Sequence, residues 1–491
     1  MIHTSIARSF PRAFGLGVVL VLSACKASDM NIANPNSATV VGASADPTSF
    51  QLLATGLLVD QRSTRAGWIT YSGILGRESY TYTPQEGRNT THYLIGIVVG
   101  GVQKLDPAGF APAPWAGQYN VLRDIFNFKK TVAAATLTTA QKSAALGFAQ
   151  TLEAMMLFEI EEGHDSLGAV VEIRDDPTSL APFVSRDSVF KNILNTLDAA
   201  NTNLGAGGAT FPFTMNAGFA GFNTPATFAK FNRAMKAKVA AHYATAGGGP
   251  TAWATSIAAL NTSFMDRTAA SRAAFDVGVY DTYAASPDTP NGLTQATNTS
   301  LYGHMSFQTD AQLKADNTPD NRYLAKIRTG LASRQGPITG DGPTSAASTI
   351  GFSIWPSISS NVPVLRNEEL ILLHAEAMLA TGDKATAISD INQVRINSGG
   401  LPASTLTVAN SDDEVLMGIL YEKRYSTMME GNRWVDMRRY NKLNLLPLDI
   451  TTGPNKNFVA KVGPVPQAEC LVRAKSTGDL LGPGGLNDCA P

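Results

Sequence analysis

The sequence predicts an all-α protein, a tetratricopeptide-like scaffold of helical hairpins that carries a large loop-rich insertion. Residues 366–397 hold two apolar-patterned segments separated by Gly382 and Asp383, and residues 225–265 hold two more, separated by a glycine run. Glycine ends helices because it takes the left-handed C-cap conformation at little cost. Between 267 and 364 the helical period disappears and Gly, Pro, Ser, Thr and Asn dominate. A stretch this long without helical period predicts the insertion.

The hairpin at 366–397 shows why each segment should be helical. Its first segment is apolar almost all round, which is typical of a buried helix. The second, from Lys384 to Asn397, repeats apolar residues at helical spacing, and Asp383 stands where it can cap that helix. Two helices joined by so tight a turn form the unit of a tetratricopeptide-like layer.

The composition is that of a packed globular protein. Of the 491 residues, 44% are hydrophobic and 16% are charged, and the formal net charge is -1. A nucleic-acid partner would need a basic footprint that this balance excludes. No Cys or His cluster has metal-ligand spacing, so the sequence predicts neither a metal nor a cofactor.

The first 24 residues predict a lipoprotein signal peptide. Arg8 and Arg12 precede a short apolar run, which ends in Leu22-Ser23-Ala24-Cys25. The run is shorter than the roughly 20 apolar residues that span a bilayer. Cleavage would leave a lipid anchor on Cys25, followed by a flexible tether over residues 25–47. The alternative is an ordinary signal peptide with an incidental cysteine.

The two other cysteines, Cys470 and Cys489, are a possible disulfide in an exported protein. They lie 19 residues apart. A loop of that length would gain about 3 kcal/mol from the bond in the chain-entropy model.

A cluster of charged residues follows the second hairpin, from Glu422 to Arg439. Its carboxylates could form an acid pair for general acid-base chemistry, or they could make ion pairs that lock a helix end to its neighbours. Acids and bases are balanced there, which favours ion pairs. Neither this cluster nor any other stretch predicts catalytic residues.

The last quarter of the chain carries an ordered series of motifs. In chain order they are R-x-x-E from Arg366, I-N-x-V-R ending at Arg395, E-G-x-R-W-x-D-x-R-R from Glu430 to Arg439, and P-x-P-Q-x-E from Pro464. This series resembles the RagB/SusD family. The family usually has Arg and Glu where this chain has Lys423 and Ser426, a departure that weakens an internal ion-pair network.

The resemblance implies a nutrient-uptake lipoprotein of the outer membrane, exposed at the cell surface. Such a protein binds an oligomeric nutrient, here a glycan in preference to a peptide, without chemistry. It delivers the nutrient to a SusC-like, TonB-dependent barrel transporter and acts as the lid of that barrel. The implied parts are a helical-repeat part at 48–266, a loop-rich ligand face at 267–364 and a RagB/SusD-like helical part at 365–491.

Two other functions stay open at the level of sequence. A secreted glycoside hydrolase or peptidase would need convergent carboxylates or an activated nucleophile, and the sequence offers neither. A helical-repeat scaffold for envelope assembly would need no small-molecule cargo. A ligand screen and a pull-down would separate the scaffold from a binding protein.

The ligand-binding candidates are aromatic residues that no helical pattern explains. Rings beside polar groups suit stacking on sugars or flat peptide surfaces. Such rings lie in two stretches, residues 68–82 and 280–307. We expect the platform to include some of Trp68, Tyr80, Tyr82, Tyr283 and Tyr302.

The signal at Leu22-Ser23-Ala24-Cys25 makes a direct prediction about attachment. Replacing Cys25 by Ala removes the thiol that carries lipid, so the protein should leave the outer-membrane fraction. Carbonate-washed membranes, blotted for the protein, measure this, with Ser28→Ala in the tether as the control. Unchanged membrane association of Cys25→Ala would contradict the lipid anchor.

Overall fold

The computed structural model describes residues 47–476, apart from 111–113, 177, 287, 296 and 297. The predicted signal peptide, Cys25, the tether up to residue 46 and Cys489 lie outside the described residues.

The described chain is mainly helical. Its α-helices are α1 Pro47–Leu75, α2 Arg88–Leu94, α3 Ala116–Ala134, α4 Thr139–His164, α5 Arg186–Gly205, α6 Pro225–Tyr243, α7 Gly249–Leu260, α8 Arg272–Phe275, α9 Ser306–Thr309, α10 Asn321–Lys326, α11 Asn367–Ala380, α12 Lys384–Asn397, α13 Asp412–Ser426, α14 Arg433–Arg439 and α15 Gln467–Ser476. The predicted helical class is confirmed.

Short strands occur between the helices, in two-stranded antiparallel pairs. They are β1 Ser79–Thr81, β2 Ile97–Val99, β3 Val102–Lys104, β4 Gly278–Asp281, β5 Leu301–Gly303, β6 Ile327–Arg328, β7 Ile338–Thr339, β8 Gly342–Pro343, β9 Gly351–Phe352 and β10 Val362–Arg366. The pairs are β1 with β5, β2 with β3, β4 with β10, β6 with β9 and β7 with β8. Sequence periodicity did not predict these strands, because segments of two to five residues are too short to show an alternating pattern.

Helices α3 to α7 pack in chain order, each against the next, and form the N-terminal helical layers. Several of these helices begin at a side-chain cap: Thr138 caps α4, Ser185 caps α5 and Thr224 caps α6. In α6, Pro225 takes the first helical position. The glycine run predicted to end α6 does so through a π-helical turn, Ala244–Gly248. Phenylalanine rings such as Phe148 and Phe228 fill the core between these helices.

The predicted C-terminal hairpin is helices α11 and α12. Helix α12 has the predicted bounds, and Asp383 caps it by accepting a hydrogen bond from the Thr386 N–H. Helix α11 begins at Asn367 because Arg366 ends strand β10. The hairpin packs on α13, and α11 also contacts α6 and α7 of the N-terminal layers. The two sets of helices therefore meet at α11.

Among the described residues, no helix combines the length and apolar character needed to cross a bilayer. The place of Trp434 beside Arg433 and Asp436 at a helix end predicts a buried packing residue, and its side chain, at the start of α14, is fully buried. Its indole N–H donates to the Ala460 carbonyl at 2.8 Å, the Tyr71 ring meets it edge-on at 5.7 Å, and the Arg438 guanidinium lies 4.6 Å from its ring centre. This tryptophan is a packing residue.

Removing the Trp434 ring should therefore destabilise the fold. Trp434→Ala leaves a cavity and an unpaired carbonyl, so the free energy of unfolding should fall by about 3–5 kcal/mol. Chemical denaturation measures the change, with Val408→Ala, at a position that is 63% exposed, as the control. An unchanged unfolding midpoint for Trp434→Ala would show that the ring carries no packing energy.

Candidate ligand-binding cavity

An open cavity of about 520 Å³ lies where residues 267–364 meet the C-terminal helices. This volume is in the range of small-molecule sites. Most of its lining comes from the segment without helical period, and the remainder comes from the end of β10, the end of α12 and the turn after α13. Both parts of the molecule are needed to form it.

Strand pairing builds one wall of the cavity. Tyr280 of β4 lies opposite Pro363 of β10 in the antiparallel pair. The Tyr280 ring is half-buried and its hydroxyl donates to the Asp276 carbonyl at 2.5 Å. The hydroxyl contact fixes the ring, and Ile354 adds a second apolar surface to the wall.

Helix α10 forms the opposite side. The Asp320 carboxylate caps it by accepting from the Arg322 N–H at 2.8 Å, and the Asn321 N–H donates to the Gly399 carbonyl at 2.9 Å. These contacts attach α10 to the turn after α12 and bring Asn321 and Lys326 to the cavity.

The Arg366 guanidinium lies in the floor and holds three elements together. It contacts the Glu368 carboxylate at 2.9 Å, the Asp276 carboxylate at 3.1 Å and the Ser426 carbonyl at 2.7 Å. It also forms a close ion pair with Glu430. A guanidinium has five N–H donors in a planar fork, so one residue can bind all of these acceptors.

Glu368 is the fully buried acid beneath this floor. Burial alone would raise its pKa, but Arg366 and Arg272 hold the pKa of this carboxyl well below its ordinary value. Arg272 reaches it at 2.6 Å and also pairs with Asp276 at 2.7 Å. The acid is therefore ionised, and its charge is balanced by neighbouring arginines.

A second network lies beside the first. Arg322 contacts Asp320 at 2.6 Å and Glu422 at 2.7 Å, and Arg395 contacts Glu422 at 3.0 Å. Lys423, the family departure, bridges Glu376 at 2.7 Å and Asp436 at 2.8 Å. The carboxylates of the charged motif thus make ion pairs in the structure, in keeping with the ion-pair interpretation of that cluster.

The five aromatic candidates lie in three separate clusters. Tyr80, Tyr82 and Tyr302 pack together, Tyr283 packs with Ile69 and Trp355, and Trp68 packs with Tyr71 and Trp434. All five side chains are buried, with exposed fractions of 2% to 6%. A ring that stacks on a ligand needs an open face, and these faces are covered.

The three clustered tyrosines support the loops above them. Tyr80 lies opposite Tyr302 in the β1–β5 pair, and the Tyr80 and Tyr82 rings stack with centroids 4.8 Å apart. Their hydroxyls donate to the Asp449 carboxylate, the Ala346 carbonyl and the Ala332 carbonyl at 2.7, 2.6 and 3.1 Å respectively. These bonds connect the cluster to the segment 331–349.

The ligand role of the five aromatics stays a prediction. The cavity instead presents Tyr280, which begins the second aromatic stretch but is not among the five. The sequence could not single out Tyr280, because Tyr280 and Tyr283 lie in the same stretch and differ only in the side of the chain that each ring faces. Lys326 and the asparagines of the cavity carried no signal beyond their place in the loop-rich segment.

A serine, a histidine and an aspartate approach one another beneath the tyrosine cluster. Ser306 Oγ lies 2.7 Å from His304 Nδ1, and His304 Nε2 lies 3.4 Å from the Asp449 carboxylate. Ser306 Oγ also accepts from Arg424 at 2.6 Å. All three are buried, so a substrate carbonyl has no access to this serine, and the group does not meet the geometry of a hydrolase triad.

Two further expectations concern metal and disulfide bonding. Within the described ranges, no group of three or more His, Cys, Asp or Glu side chains is arranged to hold a metal ion. Cys470 is buried on α15, and its predicted partner Cys489 is outside those ranges, so the disulfide stays a prediction.

Comparison with known proteins agrees with the motifs. The SusD family model matches residues 302–469. A SusD-like protein, P38 of Formosa agariphila, is 37% identical over 98 residues. That alignment covers 18% of this chain and only 19% of the relative's length.

Solved structures extend the likeness in fold to most of the chain. A SusD-like carbohydrate binding protein from Bacteroides fragilis superposes with a TM-score of 0.62 at 14% identity, covering 87% of this chain and 98% of that one. A laminarin binding SusD-like protein gives a TM-score of 0.60 at 13% identity, covering 89% and 99%. The fold is SusD-like, and the resemblance to the RagB/SusD family is confirmed.

Glu78 lies beside the tyrosine cluster, between α1 and β1, and is almost fully buried. Its carboxylate accepts from the Met429 N–H at 3.2 Å. Burial raises the pKa of Glu78 from 4.5 to about 7, and burial together with Arg424 lowers the pKa of the nearby Arg433 to about 9. The pKa of Glu78 is higher in the folded protein than in the unfolded chain, so binding a proton stabilises the fold. This contribution to the free energy of unfolding is fully present below about pH 4.5 and is lost as the pH rises through about 7.

Glu78→Gln should flatten this pH dependence. The amide still accepts from Met429 but never ionises, so the variant should lose less stability than the wild type between about pH 5 and about pH 8, by on the order of 3 kcal/mol. Denaturation at both pH values measures it. Glu172→Gln, at an acid that is 56% exposed, is the control. Equal pH dependence of Glu78→Gln and wild type would mean that Glu78 is ionised throughout.

Proposed function

We propose that this protein is a lipid-anchored outer-membrane protein that captures an oligomeric nutrient and delivers it to a SusC-like, TonB-dependent barrel transporter. The nutrient is a glycan in preference to a peptide. The lipid is on Cys25, and the protein lies at the cell surface. The observation that carries the ligand site is the cavity between the loop-rich segment and the C-terminal helices.

The rim of this cavity suits sugars. Asn321, Asn361 and Asn397 are exposed there, and the half-buried rings of Tyr280 and Pro363 form an apolar wall. Neutral amides donate and accept hydrogen bonds with hydroxyl groups, and a tyrosine ring gives a sugar face an apolar surface. Binding sites for small molecules commonly combine such apolar walls with a few polar groups.

The relatives support a glycan over a peptide. One structure with this fold is described as carbohydrate binding and another as laminarin binding. A peptide would also find hydrogen-bond partners at the rim, so a peptide arm belongs in the test. Function by binding alone fits the ion-paired state of the carboxylates that line the cavity and its floor.

Transfer of the bound nutrient to the barrel would then follow from the position of the protein at the membrane. A protein attached by a lipid and a tether stays at the membrane surface, which raises its effective concentration at the barrel mouth. The scaffold alternative needs the same attachment but no cargo. Co-purification of a barrel protein together with ligand binding would support delivery, and co-purification without any ligand binding would favour the scaffold.

Tyr280→Ala tests the site. Laminarin, dextran, polygalacturonate, alginate and a tetra-alanine peptide are titrated into the protein by calorimetry. Loss of the ring should weaken binding of a glycan by about three- to tenfold, the range expected of one stacked aromatic ring. Phe126→Ala, at a half-buried ring of α3, is the control and should bind like wild type.

Three outcomes would contradict the proposal in different ways. Binding of no glycan would remove the glycan function, and binding of the peptide alone would reverse the order of preference. Full glycan affinity in Tyr280→Ala would leave the function in place and remove the cavity as its site. Circular dichroism of each variant establishes that the fold is intact.

A further inference from the structure

Lys326 is the cation of the cavity that is least neutralised. It ends α10, and its ammonium donates to the Tyr425 carbonyl at 2.9 Å and forms a second, close hydrogen bond with the Ser426 carbonyl. An ammonium has three N–H donors. Two are used by backbone carbonyls, and the third finds no acceptor in the described part of the chain.

The arginines of the same cavity are different. Arg272 and Arg366 bind carboxylates at 3.1 Å or less, and Arg322 does so at 2.7 Å or less. Lys326, by contrast, has no carboxylate of any described residue within 4.0 Å. Its ammonium donates to backbone carbonyls, and the carboxylates of Glu368 and Glu430 act on it only from beyond that distance.

The surface of the cavity is cationic although the chain is almost neutral. The positively charged lining residues are Arg272, Arg322, Lys326 and Arg366, and the negatively charged ones are Asp276 and Glu430. The acids that compensate the arginines lie behind them and are buried: Glu368 pairs with Arg272 and Arg366, and Asp320 and Glu422 pair with Arg322. A ligand in the cavity therefore meets more positive than negative groups.

The ionisation of Lys326 agrees with this geometry. Burial and the neighbouring Arg366 lower the pKa of Lys326 to about 8, although Glu430 and Glu368 act in the opposite direction. A ligand anion beside the ammonium would oppose both effects, because it supplies an opposite charge at contact distance, nearer than these two carboxylates.

We infer that the cavity binds the carboxylate of an acidic ligand and that Lys326 is the residue that selects it. The inference rests on the proposed function, because it names the class of glycan, one that contains uronic acid. The same carboxylate could be the C-terminus of a peptide. The exposed position of Asn361 at the rim offers a neutral donor for the remaining groups of either ligand.

Matched probes separate charge from shape. Calorimetry compares two pairs of probes. The first pair is oligogalacturonate and the same oligosaccharide methyl-esterified at its carboxyls. The second pair is tetra-alanine that has a free C-terminal carboxylate and tetra-alanine that has a C-terminal amide. Alginate and laminarin extend the acidic and neutral arms. The wild type should prefer the acidic glycan over its neutral form by about tenfold or more, the size of one charge-assisted hydrogen bond.

Variants assign that preference to Lys326. Lys326→Met should abolish the preference and change neutral binding by less than about threefold, whereas Lys326→Arg should keep it. Lys191→Met, at an exposed lysine whose side chain is 61% accessible, is the control and should keep it too. If Lys326→Met unfolds because the Tyr425 and Ser426 carbonyls lose their donor, Lys326→Gln takes its place, since a neutral amide can still donate to them but carries no charge.

Each result decides the inference. A preference for the acidic glycan that depends on Lys326 supports the inference. A preference found only for the peptide with a free C-terminus supports carboxylate recognition by the cavity but makes the ligand a peptide and not a glycan. Equal binding of charged and neutral glycans overturns the inference and leaves the proposed function standing. Binding of no probe contradicts both.

Discussion

The structure depends on one buried arginine. Arg366 stands where strand β10 becomes helix α11, and its guanidinium joins Glu368 on α11, Glu430 after α13 and Asp276 after α8. A buried charge needs such partners, because an unpaired ion in a low-dielectric interior costs several kcal/mol. The loop-rich segment is therefore attached to the C-terminal helices at a defined position, and the cavity lies directly above this junction.

Two kinds of support are visible in the loop-rich region. Around the cavity, ion pairs fix the floor and strand pairing fixes the Tyr280 wall. Beneath the segment 331–349, hydroxyls of the tyrosine cluster bond to backbone carbonyls. Rings that looked available for a ligand in the sequence thus have structural contacts, while the cavity offers amides, one half-buried tyrosine and a lysine. The chain as a whole is almost neutral, but its charge is unevenly placed.

The helices and the family motifs were predictable because they depend on local patterns. The period and caps of α12 define its bounds, and the R-x-x-E motif already pointed to Arg366. Pairing of Tyr80 with Tyr302 was not predictable, since it joins residues more than 200 positions apart through strands of three residues. Absence of helical period showed that the aromatics were outside helices, but not whether they were exposed. Lys326 could not be found for a similar reason: its lack of a carboxylate partner exists only after folding.

We propose that the ligand binds in the cavity above Arg366. Hydrogen exchange of the backbone amides, measured with and without laminarin or polygalacturonate, tests it most directly, since a bound ligand slows exchange where it contacts or orders the chain. Binding in this cavity should protect residues 272–280, 321–326 and 354–363. Protection confined to residues 83–110 and 331–349, above the tyrosine cluster, would contradict it and place the ligand on the loops that the tyrosines support.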